Sequence, residues 1–443
     1  MKIKNLTIII MLFVCFMFNF YGCVASDNSS DDGKLKYYAY SEDSICDLIK
    51  KYNQICNQKY DESYQIEIVE FESQEEMNLK MSTEIMAGKG PDILSIGQNL
   101  PFEKMLSNQT VADVNEIIDL YNNDIGIEYC NQKVMDAGVV KGKRFFIPLS
   151  YSPDVFITTQ KSLNKYGLNV SEFDYKKLSE QLSKSTESYS LLGSESYNIN
   201  LFYSFINQYV DFNNGKTYFE SDEFLANLDY IYDLIKNDFT NEDIYYFLYK
   251  NINNGVSVFY KEFSDLNSVV RSYTNLFYLG GNPMFINSYN KNKGAVTASI
   301  DLGMGISSNC KDKEKALNFI KYCLSYDAQI NLCSENLCLP VNNKALQNFI
   351  DESNEGQDFN DDGVIENKEK DIFKKSRNKA IREYTNIIDN ISQCNLYSFF
   401  YLSETYYNSS VIGDIVNKYL NNEISKEKFI RQITAATEIF LAE

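Results

Sequence analysis

At 443 residues the chain exceeds one ordinary domain and fits two, and 44% hydrophobic residues supply sizeable cores. Its 42 basic and 61 acidic residues leave a formal charge of −19, which repels nucleic acid and anionic lipid surfaces. With no histidine, histidine-dependent hydrolysis and most zinc sites are excluded.

The N-terminus has the layout of an export signal. Lys2 and Lys4 precede an apolar run from Leu6 to Phe20, which ends in Tyr21-Gly22-Cys23. Gly22-Cys23 resembles a lipobox, whose cysteine is acylated, although Phe20 and Tyr21 replace the usual Leu and small residue. An uncleaved anchor or an ordinary secretory signal is the alternative. On the lipobox reading residues 1–22 are removed, Cys23 carries lipid, and the Ser/Asp/Asn-rich stretch 23–34 is a solvated tether. The other cysteines show no dense disulfide framework, and a large core does not need one. Cys323 falls on an apolar helical face and reads as a buried thiol. Cys333 and Cys338 are near enough in sequence either to pair or to stay free.

Leu35–Tyr40 alternates and is β-rich, a first strand; a polar loop and a helix over Ile45–Ile55 follow. Gln65–Phe71 is a second strand. Met77, Met81 and Ile85 then recur every four residues on one helical face. Gly88 suits a helix C-cap, Pro91 cannot continue the helix, and Asp92–Ser95 reads as a short buried strand. Strand, helix, strand, helix, strand begins a doubly wound α/β domain, which binds ligands in the crevice at the C-terminal ends of its strands. Tyr40, Glu42, Ser95 and Gln98 lie at those ends, where loop solvation and capping account for them equally well. Further on, Gly142–Ile157 holds two prolines in an extended apolar run, a stiff strand leaving one domain for another. The middle is mostly helical, with short strands at Gly255–Phe259 and Thr274–Leu279. Ala295–Ser307 is strand-like. Asp312–Leu324 carries Ala316, Phe319, Ile320, Cys323 and Leu324 on one helical face. Asp414–Glu443 reads as two helices.

Several of these stretches resemble family 1 extracellular solute-binding proteins, the lipoprotein receptors of bacterial ABC importers, in chain order. They are Lys80–Leu94 with its Ala87-Gly-Lys-Gly-Pro-Asp-Ile core, Gly142–Pro148, Tyr209–Phe219 with Ser221-Asp-Glu-Phe-Leu, Lys315–Ser325, and the C-terminal Ile439–Glu443. The Tyr209 element and the C-terminus are similar to Gram-positive members. The resemblance implies an α/β, two-lobed periplasmic-binding-protein-like fold of type II with multiple inter-lobe crossings, near 148–153, 292–298 and 338–342. Lobe 1 would be 35–150 and 296–338, and lobe 2 would be 151–295 and 339–443. It further implies a monomeric, lipid-anchored receptor on the extracellular face of the membrane. Such a receptor captures a solute, by family habit a carbohydrate, and presents it to permease subunits without covalent chemistry. Tyr151, with Ser152, would face the cleft, and Tyr278 borders a predicted strand end. Tyrosine can serve as a platform for a sugar's C–H face, but most of the 34 Tyr and 29 Phe must be core.

Asp358–Glu369 fits a twelve-residue EF-hand calcium loop. Asp358, Asn360, Asp362, Glu366 and Glu369 supply side-chain oxygens, Val364 supplies a carbonyl, and Gly363 makes the turn. The alternative is an acidic surface loop. One unpaired hand implies a structural Ca2+ ion. Two other functions remain open: a secreted carbohydrate-active enzyme using paired carboxylates, although no spacing singles out a pair, and a calcium-dependent surface adhesin.

Overall fold

The computed structural model describes residues 33–40, 44–59, 62–96, 105–106, 108–168, 173–193, 195–211, 214–238, 248–261, 265–288, 295–336, 338–351, 366–396 and 411–442. The chain opens with β1 (Leu35–Ala39), a helix at Ser44–Lys59, β2 (Ile66–Glu70), a helix at Gln74–Met86 and β3 (Ile93–Ile96). β1 pairs in parallel with both β2 and β3, so the order expected from sequence stands as a parallel sheet. Leu35, Tyr37 and Ala39 alternate into the core.

The Gly-Lys-Gly-Pro-Asp run gains its meaning here. Met77 and Met81 are buried on the inner face of the second helix. Gly88 and Gly90 take φ of +72° and +98°, which only glycine adopts at little cost. Asp92 then ties three strands. Its Oδ2 accepts the Lys36 N–H at 2.9 Å, its own N–H donates to the Lys36 carbonyl at 2.9 Å, and its carbonyl accepts the Ser307 N–H at 2.9 Å.

Four further strands join this sheet and two form a separate ladder. In chain order they are β4 (Ile147–Pro153), β5 (Val155–Thr159), β6 (Pro283–Asn287), β7 (Val296–Ile306), β8 (Leu339–Pro340) and β9 (Ile391–Leu396). The sheet runs β8-β4-β7-β3-β1-β2, with β9 also on β7. β7 is antiparallel to β4 along most of its length. On its other edge Gly303–Ile306 pair with β3 and Val296–Ile300 pair with β9, so β9 takes the edge that β3 leaves. β5 and β6 form an antiparallel ladder of their own.

The described residues pack around two apolar cores. The first gathers the sheet and its helices. The second is aromatic, built on Phe156, Phe173, Tyr175, Phe202, Phe205, Phe224, Phe259, Tyr419 and Phe429; the Phe205 and Phe224 rings stack at 5.1 Å. Much of the tyrosine and phenylalanine content is therefore core material.

Two expectations are corrected. Thr274–Leu279 is no strand but the end of a helix over Leu266–Tyr278, capped by Asp265 and burying Leu266, Val269, Val270, Tyr273 and Leu276 at helical spacing. Gly255–Phe259 forms no strand either; Ser257 and Tyr260 make isolated bridges to Ser190 and Ile157. Leu339 pairs with Tyr151, and Val341 and, further on, Phe373, Ala380, Tyr384 and Ile388 all pack in the first core. The long helix Asn367–Asp389 lies there because Tyr384 and Tyr273 both meet the Phe285 ring. The second core recruits the chain again from Ile412 onward.

Candidate functional site

Strand β5 stands between the two cores. Val155 and Ile157 pack in the first core and Phe156 in the second, because successive side chains of β5 point to opposite faces. Asp154 staples the outgoing and returning chain there. Its N–H donates to the Thr297 carbonyl at 2.9 Å, and its carbonyl accepts the Ser288 N–H at 3.0 Å. Hinges are a few loop or element-terminal residues, and Asp154 stands between the ends of β4 and β5.

Polar side chains collect at this clasp. In β4, Ile147, Leu149 and Tyr151 turn into the first core, so Ser152 faces the opposite way. Ser152 pairs with Ser299 of β7, and the register then shifts between Ile300 and Leu302, leaving Asp301 as the extra residue. Such a bulge re-aims a side chain. Ser152 Oγ donates to Asp301 Oδ2 at 2.5 Å, and Ser299 Oγ donates to the Asp154 carboxylate at 3.3 Å. Lys261 Nζ lies 3.6 Å from Asp154 Oδ1. Lys261 is carried there by Tyr260, whose backbone exchanges hydrogen bonds of 2.7 and 2.9 Å with Ile157.

The electrostatics are uneven. Burial pushes the Asp301 carboxyl up to about 7; the Ser152 hydrogen bond opposes this, the Asp154 charge adds to it, and Lys261 opposes it. Near neutral pH Asp301 is therefore poised between a neutral donor and a charged acceptor. Hydroxyls, two carboxylates and an ammonium group can exchange hydrogen bonds with a polyhydroxylated solute.

Register places the cluster. Ile96 of β3, Gly303 of β7 and Pro148 of β4 stand in one row. Asp301 and Ser299 are two and four residues beyond it on β7, past the C-terminal end of β3. That is the crevice position of an open α/β sheet.

The residues singled out from sequence divide. Tyr40 follows β1 with 39% of its surface exposed, and Ser95 sits half-buried in β3 opposite Met304. These two end adjacent parallel strands and point the sheet toward the cluster. Tyr151 is corrected: it is fully buried in the first core, because strand alternation gives the open face to Ser152. Tyr278 ends a helix, half-buried, and not a strand. Glu42, Gln98 and Cys23 lie outside the described residues, as do Asp358, Asn360, Asp362 and Val364. Glu366 and Glu369 are described and form a capping box on the helix Asn367–Asp389; Glu369 Oε2 accepts the Glu366 N–H at 2.9 Å, and Glu369 is 1% exposed. Among the described residues no group of His, Cys, Asp and Glu is arranged to hold a metal ion, and no helix is long and apolar enough to cross a membrane. Sequence reasoning missed Asp154, Lys261, Ser299 and Asp301. Asp301 carries a signal that could have found it: a charged residue inside an otherwise buried strand.

Residues 47–330 match the family model described as bacterial extracellular solute-binding protein. No curated protein matches the chain. Among solved structures, the sugar-binding protein MalE of Xanthomonas citri is similar with a TM-score of 0.60 at 12% identity, covering 92% of this chain and 97% of that one. An ABC substrate-binding protein of Listeria monocytogenes in complex with cycloalternan gives 0.54 at 14%, covering 92% and 99%. A cyclic α-maltosyl-1,6-maltose binding protein of Arthrobacter globiformis gives 0.53 at 14%, covering 92% and 98%. At these identities the likeness is one of fold: the two-lobed, type II arrangement expected from sequence.

Proposed function

The chain belongs to the bacterial extracellular solute-binding protein family, and on that premise we propose that it is the receptor of an ABC importer, closing on a sugar or oligosaccharide. The observation that carries this is the polar cluster of Ser152, Asp154, Lys261, Ser299 and Asp301, set on and beside β4 and β7 past the C-terminal end of β3. Ser152, Ser299 and Asp301 stand on first-core strands, while Asp154 and Lys261 each stand two residues from a second-core side chain, Phe156 and Phe259. A solute that touches both sets binds a closed arrangement better than an open one, which is the condition for driving closure. The carbohydrate class is supported by the hydroxyl-matching chemistry of the cluster and by the sugars that the structural relatives bind.

The finer parts of the reading rest on sequence. Cys23 anchors the protein by lipid on the outer face of the membrane, residues 23–34 tether it, and the closed monomer docks on permease subunits. Solute leaves unchanged, so the protein is a receptor and not an enzyme. The lobes are 35–150 with 296–338 and 151–295 with 339–443, joined by crossings near 148–153, 292–298 and 338–342. Calcium is held by Asp358, Asn360, Asp362, the Val364 carbonyl, Glu366 and Glu369. The capping box at Glu366 and Glu369 fits that assignment, since the last two ligand positions of an EF-hand loop open its exit helix and Glu369 already turns back toward the loop.

The test is a thermal-shift screen against mono- and oligosaccharides, amino acids and peptides, followed by calorimetry on the hits. A saccharide that raises the melting temperature and is recovered intact supports the reading. Turnover of that saccharide, or stabilisation by amino acids or peptides alone, contradicts it.

A further inference from the structure

Cys333 lies in the helix Tyr326–Asn336, and Cys338 directly precedes β8. Their sulfur atoms stand 3.1 Å apart, and both residues are buried, at 3% and 8% exposure. Other buried thiols address oxygen: Cys56 donates to the Tyr64 carbonyl at 3.8 Å and Cys130 to the Gly126 carbonyl at 3.7 Å. We propose that Cys333 and Cys338 form a disulfide in the exported protein, pinning this helix to the strand edge beside the crossing.

The local structure shows what the bond would do. β8 has only two paired residues, Leu339 with Tyr151 and Pro340 with Ser150, so this edge needs other support. Gln329 of the same helix provides part of it. Its Oε1 accepts the Val341 N–H at 2.8 Å and the Asn342 N–H at 3.3 Å, and its Nε2 donates to the Leu149 carbonyl at 3.1 Å. A Cys333–Cys338 bond adds a covalent clasp on the near side of β8, so the strand is held at both ends. Since β8 pairs with β4, the clasp also steadies Tyr151 and, next to it, Ser152.

The chemistry balances with a disulfide oxidant, which the extracellular setting of the family provides. One cysteine thiolate attacks a sulfur of the oxidant and releases its partner as a thiol. The second cysteine then displaces the remaining oxidant sulfur, closing the bond. Two electrons and two protons pass to the oxidant, which leaves as two thiols. Burial and the neighbouring sulfur push the Cys333 thiol up, so the exchange belongs to folding, before the segment closes, and the finished bond is shielded from reductant.

The full chain in detergent is refolded in a reduced/oxidised glutathione couple, denatured without reductant, alkylated, digested with trypsin and read by mass spectrometry. The peptide Tyr322–Lys344 contains Cys323, Cys333 and Cys338. The expected result is alkylation at Cys323 only, the peptide mass being that of its reduced, unlabelled form less two hydrogens plus a single alkyl adduct. Reductant applied before alkylation exposes all three. The single variant Cys333→Ser frees Cys338 for alkylation, and the double variant Cys333→Ser/Cys338→Ser loses any reductant-dependent change in melting temperature. Alkylation of Cys333 and Cys338 in the unreduced wild type overturns the proposal, as does a bond from either one to Cys323. None of these outcomes depends on which solute the protein carries.

Discussion

Ser152 Oγ donates to Asp301 Oδ2 at 2.5 Å, between β4 and β7, two paired strands of the first core. A β-bulge places the acceptor and strand alternation places the donor, so the contact follows from two backbone facts. It sets a carboxyl raised to about 7 beside Asp154 and Lys261.

From about pH 4 to about pH 7 the folded protein keeps a proton on Asp301 that the unfolded chain has released. The folded state binds more protons in that window, so this group's contribution to stability is complete below it and lost as pH rises through it. We predict that wild type loses up to about 1.4 kcal/mol per pH unit relative to Asp301→Asn between those limits. Thermal unfolding of both proteins at matched pH values measures the difference. Parallel curves would show that Asp301 titrates normally.

The Asp154–Lys261 pair is partly exposed, with side-chain exposures of 20% and 42%, so its worth to stability is at most about 1 kcal/mol. Its expected worth to binding is larger. Asp154→Asn is predicted to lower saccharide affinity about tenfold or more, equivalent to about 1.4 kcal/mol, while shifting the unliganded melting temperature little. The backbone clasp to Thr297 and Ser288 survives the substitution. Calorimetry beside thermal unfolding separates the two effects.

Asp92 belongs to architecture. Asp92→Ala orphans the Lys36 N–H in β1 and is predicted to cost roughly 1–3 kcal/mol of stability. Saccharide affinity of the folded fraction should remain at the wild-type level. Denaturant unfolding and calorimetry on one preparation test both halves of the statement.

Calcium removal is predicted to lower the melting temperature, and adding calcium at about a hundredfold over its Kd should restore about 2.7 kcal/mol. Asp358→Ala should abolish that response without touching the capping box of Glu366 and Glu369. Equal melting temperatures in chelator and in calcium would remove the ion from the account.

Much of the fold was legible because its signals are local. Leu35, Tyr37 and Ala39 alternate, Met77, Met81 and Ile85 repeat on a helical period, and Gly88 with Pro91 punctuates the join. Thr274–Leu279 misled because a short run of Leu, Phe and Tyr reads as a strand; its helical period emerges only when counted from the Asp265 cap. The packing of the helix Asn367–Asp389 was hidden for another reason. Whether Tyr384 packs in one core or the other is decided by Phe285 and Tyr273, far away in sequence. The site was legible only in part. Tyr40 and Ser95 mark strand ends, which a pattern can find, whereas Asp301 owes its place to a register shift that no single strand encodes.

The central claim is that solute is captured by closure at Pro153–Phe156. Small-angle scattering of the protein, alone and saturated with the saccharide that stabilises it, tests this most directly. The account predicts a smaller radius of gyration in the complex, lost in a variant cross-linked open across the crossing. Tight saccharide binding with an unchanged radius of gyration would contradict it.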